Sequence, residues 1–257
     1  VDLAHTLDDY ALEIREKVRI AARARVQERR PSPMPVAKPS AATVAEKYSA
    51  DVILQRNERQ RPFKTTDSII AIGASTGGTE AIREVLVRMP LTCPGIVITQ
   101  HIPEAFSGPF ARRMDSVSVI SVCEAQDGQP VYPGHAYIAP GNRHLMLVRD
   151  GARYVCRLND GPPVNRHRPS VDVLFRSVAA NAGQNAVGVI LTGMGDDGAR
   201  GMKEMRDAGA PTIAQDERTS VVWGMPGQAV KLGGVDKILP LDAIAAQVLR
   251  LAEEHSR

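Results

Sequence analysis

Short apolar segments alternating with amphipathic ones from residue 68 onward predict a doubly wound α/β fold: a mostly parallel sheet, helices on both faces and a small antiparallel patch. Three observations carry that expectation. Ser68-Ile69-Ile70-Ala71-Ile72 is a continuous apolar run closed by Gly73, as a strand covered on both faces requires. Thr79–Met89 follows at once, with Ile82, Val85, Leu86 and Met89 at helical spacing. The same strand-then-helix order recurs at Ala186–Leu191 and Ala199–Ala208.

Between these units, Gly95–Thr99 reads as a second buried strand and Ala105–Met114 as a short helix. Val117–Val122, His135–Ala139, Leu145–Arg149 and Arg153–Arg157 are strand-like, and the turn residues between them place all four in the antiparallel patch. Val171–Ala182 reads as a helix with Val171, Leu174, Phe175 and Val178 inward. Pro211–Ala214 is a short strand and Leu241–Glu254 a closing helix.

The 257 residues, 43% hydrophobic and 24% charged, suffice for one globular domain plus an appendage. Leu7, Ala11, Ile14, Val18 and Ala22 line one face of a helix, with Asp8 and Asp9 near its start and the basic run Arg15 to Arg30 toward its end. A lone stripe of this kind needs a surface supplied by another domain, so residues 1–30 are expected to be the residual helix of something upstream. Starting on Val1 instead of Met agrees with that expectation. Pro31, Pro33, Pro35, Pro39 and Pro62 mark residues 31–66 as a linker, with Val52-Ile53-Leu54 its one apolar cluster. The main domain is expected to span residues 67–257.

Charge and composition exclude several functions. The formal net charge is +3, and residues 1–64 carry 13 Lys and Arg against 9 Asp and Glu, so the main domain is near neutral. Such a domain is not a nucleic-acid reader by charge. No apolar run approaches the roughly 20 residues of a membrane span, so no membrane insertion is expected, and the start of the chain lacks a signal-peptide pattern. Cys93, Cys123 and Cys156 are odd in number and far apart, which fits buried thiols of a reducing compartment better than disulfides or a zinc site.

Sites in open α/β sheets form beyond the carboxyl ends of the strands. The first strand ends in Gly73-Ala74-Ser75-Thr76-Gly77-Gly78, a G-x-S-x-G arrangement running into a helix, suited to a nucleophile or, equally, to a capping serine or phosphate loop. The dinucleotide pattern and the P-loop lysine are both absent. The second strand ends in Gln100-His101-Ile102-Pro103; of six histidines, only His101 terminates a predicted parallel strand, where it can serve as a base for a serine alcohol. A third strand runs into Leu191-Thr192-Gly193-Met194-Gly195-Asp196-Asp197-Gly198. One of the adjacent carboxylates could cap the next helix while the other orients the imidazole. Serine, histidine and aspartate at three strand ends make a hydrolase the leading class.

Four motifs in chain order carry a family likeness. They are Ile72-Gly73-Ala74-Ser75-Thr76-Gly77-Gly78-Thr79-Glu80-Ala81, Gln100-His101-Ile102-Pro103, the run from Gly161-Pro162-Pro163 through Asn165-Arg166-His167-Arg168-Pro169-Ser170-Val171-Asp172, and Leu191–Gly198. Together they resemble the catalytic domain of the chemotaxis protein-glutamate methylesterases (CheB-type), from about Ser68 to Leu251. The resemblance puts the active serine on Ser75, the histidine on His101, the aspartate on Asp197 and the oxyanion-binding backbone on Thr76 and Met194. The family's last motif often has Asn where this chain has Asp196, which adds a negative charge near the site. The order Ser, His, Asp also differs from the α/β-hydrolases, where Asp precedes His.

The resemblance implies a cytoplasmic enzyme without cofactor or metal. Its members hydrolyse glutamate methyl esters on the cytoplasmic helices of chemoreceptors, releasing methanol, and many deamidate receptor glutamines. It also implies a phospho-receiver domain packed over the site, whose final helix Asp8–Arg30 resembles. The loop with Arg166 and Arg168 is a candidate contact for an acidic receptor helix. Two rivals stand beside the hydrolase: a non-catalytic receptor-docking module using the basic arm, and a nucleotide-binding domain using the glycines of 73–78.

Overall fold

The computed structural model of the chain describes residues 47–55 and 68–255. The helical stripe of residues 1–30, residues 31–46 of the proline-rich stretch and residues 56–67 lie outside them.

The strands are β1 (Ile69–Ala74), β2 (Gly95–Gln100), β3 (Ser121–Glu124), β4 (His135–Ile138), β5 (His144–Asp150), β6 (Arg153–Asn159), β7 (Ala186–Ile190), β8 (Thr212–Gln215) and β9 (Lys237–Leu239). The helices are α1 (Gly78–Leu86), α2 (Glu104–Val117), α3 (Val171–Asn181), α4 (Ala199–Asp207), α5 (Gly224–Lys231) and α6 (Leu241–His255). Seven strands form one sheet in the order β3-β4-β2-β1-β7-β8-β9, every pairing parallel. β5 and β6 make a separate antiparallel hairpin. This is the doubly wound α/β architecture with a small antiparallel patch.

One expectation about its membership needs correction. Val117 closes α2 and the next strand starts at Ser121, so 117–122 is not one strand. β3 and β4 then pair in parallel and extend the main sheet, leaving only β5 and β6 antiparallel. The turn residues between β3 and β4 belong to a ten-residue crossover, 125–134, rather than a hairpin turn. Two further elements, α5 and β9, had no clear periodicity: α5 contains Gly224, Pro226 and Gly227, and β9 is three residues long.

Period-two alternation explains the layers. Ile70 and Ile72 of β1 join Ile96 and Ile98 of β2 in a core covered by Ile82, Val85 and Leu86 of α1, Met114 of α2 and Val248 of α6. Ile69, Ala71 and Val97 face the opposite side, against Leu174 and Phe175 of α3, Met202 and Met205 of α4, Met225 of α5, and the hairpin residues Leu147 and Cys156. All six residues of β1 are buried, which is why its sequence is continuously apolar.

β1 is the centre of the sheet, with β2 on one side and β7 on the other. The chain lays down β2, runs to the edge as β3, returns as β4 between β3 and β2, and then crosses to β7, β8 and β9 on the other side of β1. The switch point therefore lies at the carboxyl end of β1, with the ends of β2 and β7 beside it. Residues 47–55 contact this unit. Tyr48 bridges to Val164, and Ala50 of a short 3-10 turn packs with Val164 and Val173, with Ile53 against them. Arg176 of α3 donates to the Asp51 carboxylate and the Leu54 carbonyl.

Candidate active site

Ser75 follows directly on β1. Its N–H donates to the Thr192 carbonyl at 3.0 Å, and its own carbonyl accepts from Gly78 N–H and from the Gln100 side-chain amide. The chain turns into α1 at Gly77, whose φ of 78° lies in the left-handed region that favours glycine. Ser75 itself has no positive φ, so the turn differs from a strained nucleophile elbow. Gly193 permits the close approach of the loop after β7: a Cβ there would stand 2.8 Å from Ser75 Cβ.

His101 follows β2, and its N–H donates to the Ala74 carbonyl. Its ring touches both partners expected from the strand ends. Nδ1 lies 3.1 Å from Ser75 Oγ, and Nε2 lies 2.7 Å from Asp197 Oδ2. The two ring nitrogens thus have roles opposite to those in the familiar Ser-His-Asp template, where Nε2 faces the serine. The face of His101 is stacked on His167, with ring centroids 3.7 Å apart and planes within 9°. Burial, then repulsion by His101, pushes the His167 imidazole below its ordinary value against the pull of Asp197 and Asp196.

Asp197 is 1% exposed and is the hub of the site. Oδ2 accepts from His101 and from Val171 N–H at 2.7 Å. Oδ1 accepts from Asn165 Nδ2 and Ser170 Oγ, both at 2.8 Å, and from Asp172 N–H at 3.2 Å. Val171 and Asp172 open α3, so this carboxylate takes the place of a side-chain cap on that helix. Burial alone would raise Asp197; the bonds from His101, Asn165 and Ser170 outweigh it and hold the carboxyl below the usual range. The adjacent Asp196 points elsewhere, pairing with Lys47 Nζ at 2.5 Å on the surface. Neither aspartate side chain caps α4, whose start is served by the Asp196 carbonyl accepting from Ala199 N–H.

Thr76 and Met194 flank Ser75 in sequence and across the β7 loop. Among the described residues, no acceptor takes the backbone N–H of either. Met194 is 69% exposed and Val221 70%, and Val221 packs over Gly77. They give the serine an apolar, open rim. No group of three metal-binding side chains occurs among the described residues, and no helix there is long and apolar enough to cross a membrane.

Several contributors were not visible as site residues in the sequence. His167 sits in a polar loop and reaches His101 only because the tight turn Val164–His167, closed by reciprocal backbone bonds, carries it over the imidazole. Asn165, Ser170 and Asp172 belong to the same run, which lies far from all three strand ends in sequence. Its inclusion in the family-like motif was the only available signal. Arg168 is occupied by Asn142 and the carbonyls of Asp160 and Gly161, whereas Arg166 is exposed and, among the described residues, has no hydrogen-bond or ion-pair partner.

A family model described as CheB methylesterase matches residues 70–248. A protein-glutamate methylesterase/protein-glutamine glutaminase of Hydrogenovibrio crunogenus is 52% identical over 99% of this chain and 71% of its own length. A protein of the same name from Xanthomonas euvesicatoria is 54% identical over 99% of this chain and 68% of its own. The crystal structure of the Thermotoga maritima CheB methylesterase catalytic domain superposes with a TM-score of 0.70 at 36% identity, covering 73% of this chain and all of that one.

Proposed function

The chain belongs to the CheB methylesterase family, and on that basis we propose that it is a cytoplasmic serine hydrolase that removes methyl groups from glutamate methyl esters on chemoreceptor helices and deamidates receptor glutamines. The observation that carries the assignment of roles is the unbroken hydrogen-bonded chain Ser75 Oγ, His101, Asp197.

In the proposed cycle, a neutral His101 keeps its proton on Nε2, donated to Asp197, so that the Nδ1 lone pair accepts the Ser75 hydroxyl proton. Ser75 Oγ attacks the ester carbonyl, and the oxyanion accepts hydrogen bonds from the Thr76 and Met194 N–H groups. Each such donor is worth about 3 kcal/mol in comparable sites. The imidazolium returns its proton to the leaving methoxide, and methanol departs from the acyl-serine. Water, deprotonated by the same nitrogen, then attacks the acyl carbonyl; the acyl–Oγ bond breaks as that nitrogen returns its proton to Ser75 Oγ, and the glutamate acid leaves and ionises to the carboxylate. With a glutamine substrate, ammonia leaves in place of methanol. The chain's own groups suffice for every proton transfer.

In this reading residues 67–257 are the catalytic domain and 31–66 join it to what precedes. The hydrogen-bonded chain favours a hydrolase over a docking module or a nucleotide-binding domain. The test is methanol and ammonia release from a methylated, glutamine-bearing chemoreceptor signalling fragment. The wild-type chain should release both; Ser75→Ala, folded by circular dichroism, should release neither above background. Near-normal turnover by that variant would overturn the assignment.

A further inference from the structure

Behind Asp197 stands a second buried carboxylate for which the proposed cycle has no use. Asp172 is 3% exposed in the first turn of α3. Its Oδ1 accepts from Gly201 N–H of α4 at 2.8 Å, and its Oδ2 accepts from Asn165 Nδ2 at 2.6 Å. The same amide nitrogen donates to Asp197 Oδ1 at 2.8 Å. One side-chain NH2 group thus has both hydrogens committed, one to each of two buried carboxylates. Asn165 is itself buried, holds a φ of 50°, and is anchored by its N–H to the Tyr48 carbonyl at 2.9 Å.

His101 faces Asp197 from the front, and acidic groups crowd the rear of this pair. Asp197 faces Asp172 from the loop after β7, and Glu204 faces it from α4. Arg176, one turn along α3, is occupied by Glu204 and Asp51. On β5, His144 accepts the Ser170 N–H and is pushed down by burial, so it supplies no stable positive charge. Burial first, and then the charge of Asp197, lifts Asp172 to about 7, against the Gly201 and Asn165 donors. A carboxylate kept this close to neutrality behind the one that holds His101 changes the field on the imidazole as it ionises.

Resting on the Ser75–His101–Asp197 reading, we infer that Asn165 and Asp172 are positioning residues, forming a relay Asp172–Asn165–Asp197–His101 that sets the pH range in which the general base works. The amide fixes the rotamer of Asp197 and shields the two carboxylates from each other. Asp172 supplies negative potential behind the one that faces the imidazole.

The relay predicts pH effects of one sign and unequal size for its two members. Asn165→Gly keeps the left-handed backbone without strain and the N–H to Tyr48, and deletes only the shared donor. Without the shared donor Asp172 retains its proton to higher pH, the negative potential behind His101 weakens, the imidazole gives up its proton at lower pH, and the acid limb of kcat/KM moves down by roughly 0.5 unit. Asp172→Asn removes the rear charge at every pH, so that limb moves down further, by roughly 1 unit. In both variants kcat should carry most of the loss while KM changes little.

The experiment is methanol release from the methylated receptor fragment by the full chain between pH 5 and pH 9, for wild type, Asn165→Gly, Asp172→Asn and Asp197→Asn. A downward shift in both variants, larger in Asp172→Asn, supports the relay. An acid limb unmoved within about 0.2 unit in folded variants, or moved upward by either, overturns it and leaves a merely structural role. If Asp172→Asn fails to fold, the direction of the Asn165→Gly limb decides alone. Near-normal turnover by Asp197→Asn would instead sink the triad reading itself, a separate failure.

Discussion

The front and the back of the site are built on different terms. The front, Ser75 with Thr76, Met194 and Val221, is open and apolar; its flanking Met194 and Val221 are about 70% exposed. The back, Asp197 with Asn165, Ser170 and Asp172, is sealed, and Asp197 there accepts five hydrogen bonds. The difference follows from what each side must do. A front that admits a side chain from another protein has to stay open. A back that keeps a carboxylate ionised out of water must satisfy every lone pair it buries. His101 joins the two, one ring nitrogen on each side.

The largest break in this comparison should come from the back. Asp197→Asn should lower kcat by about 10⁴-fold, since the imidazole loses its orienting acceptor and the start of α3 loses its capping charge. Asp196→Asn, one residue away but paired with surface Lys47, should change kcat by less than about 3-fold, because exposed ion pairs contribute little. Steady-state methanol release distinguishes them, and equal losses would erase the distinction between the neighbours. A smaller effect is expected at the front. Gly193→Ala places a methyl against Ser75 Cβ and Met225 Sδ, and the displaced serine should lose about 10²-fold in kcat with the fold retained. Unchanged kinetics there would mean that the loop gives way freely.

The smallest effect is on stability. With Asp172 raised to about 7, the folded chain holds a proton between about pH 4 and pH 7 that the unfolded chain releases. Its contribution is therefore present at low pH and lost as pH rises through about 7. Urea midpoints at pH 5.5 and pH 8 should fall for the wild type from the first to the second, and Asp172→Asn should flatten that fall. An equal slope in both would show that Asp172 titrates normally.

The residues at the strand ends, from either side, are what the sequence displays. β1, β2 and β7 are buried on both faces, so each reads as a continuous apolar run, and Ser75, His101 and the Asp196-Asp197 pair stand where those runs stop. The back is assembled by contacts between segments distant in sequence. Asn165 is polar, lies in a loop and holds a positive φ; nothing local marks it as the bridge between two carboxylates. The stack of His167 on His101 likewise depends on a turn whose closure is visible only in three dimensions. The assignment of β3 and β4 to the antiparallel patch failed for a related reason. Turn residues mark where a chain bends, and whether the next strand then runs parallel is decided by the crossover.

The central claim is that Ser75 forms the covalent acyl bond with help from His101. Labelling the full chain with a serine-directed phosphonate and locating the adduct by peptide mass spectrometry tests it most directly. A single adduct on Ser75, lost or greatly slowed in His101→Ala, is the predicted result. Modification of another serine at a comparable rate, or labelling of Ser75 that is indifferent to His101, would contradict it.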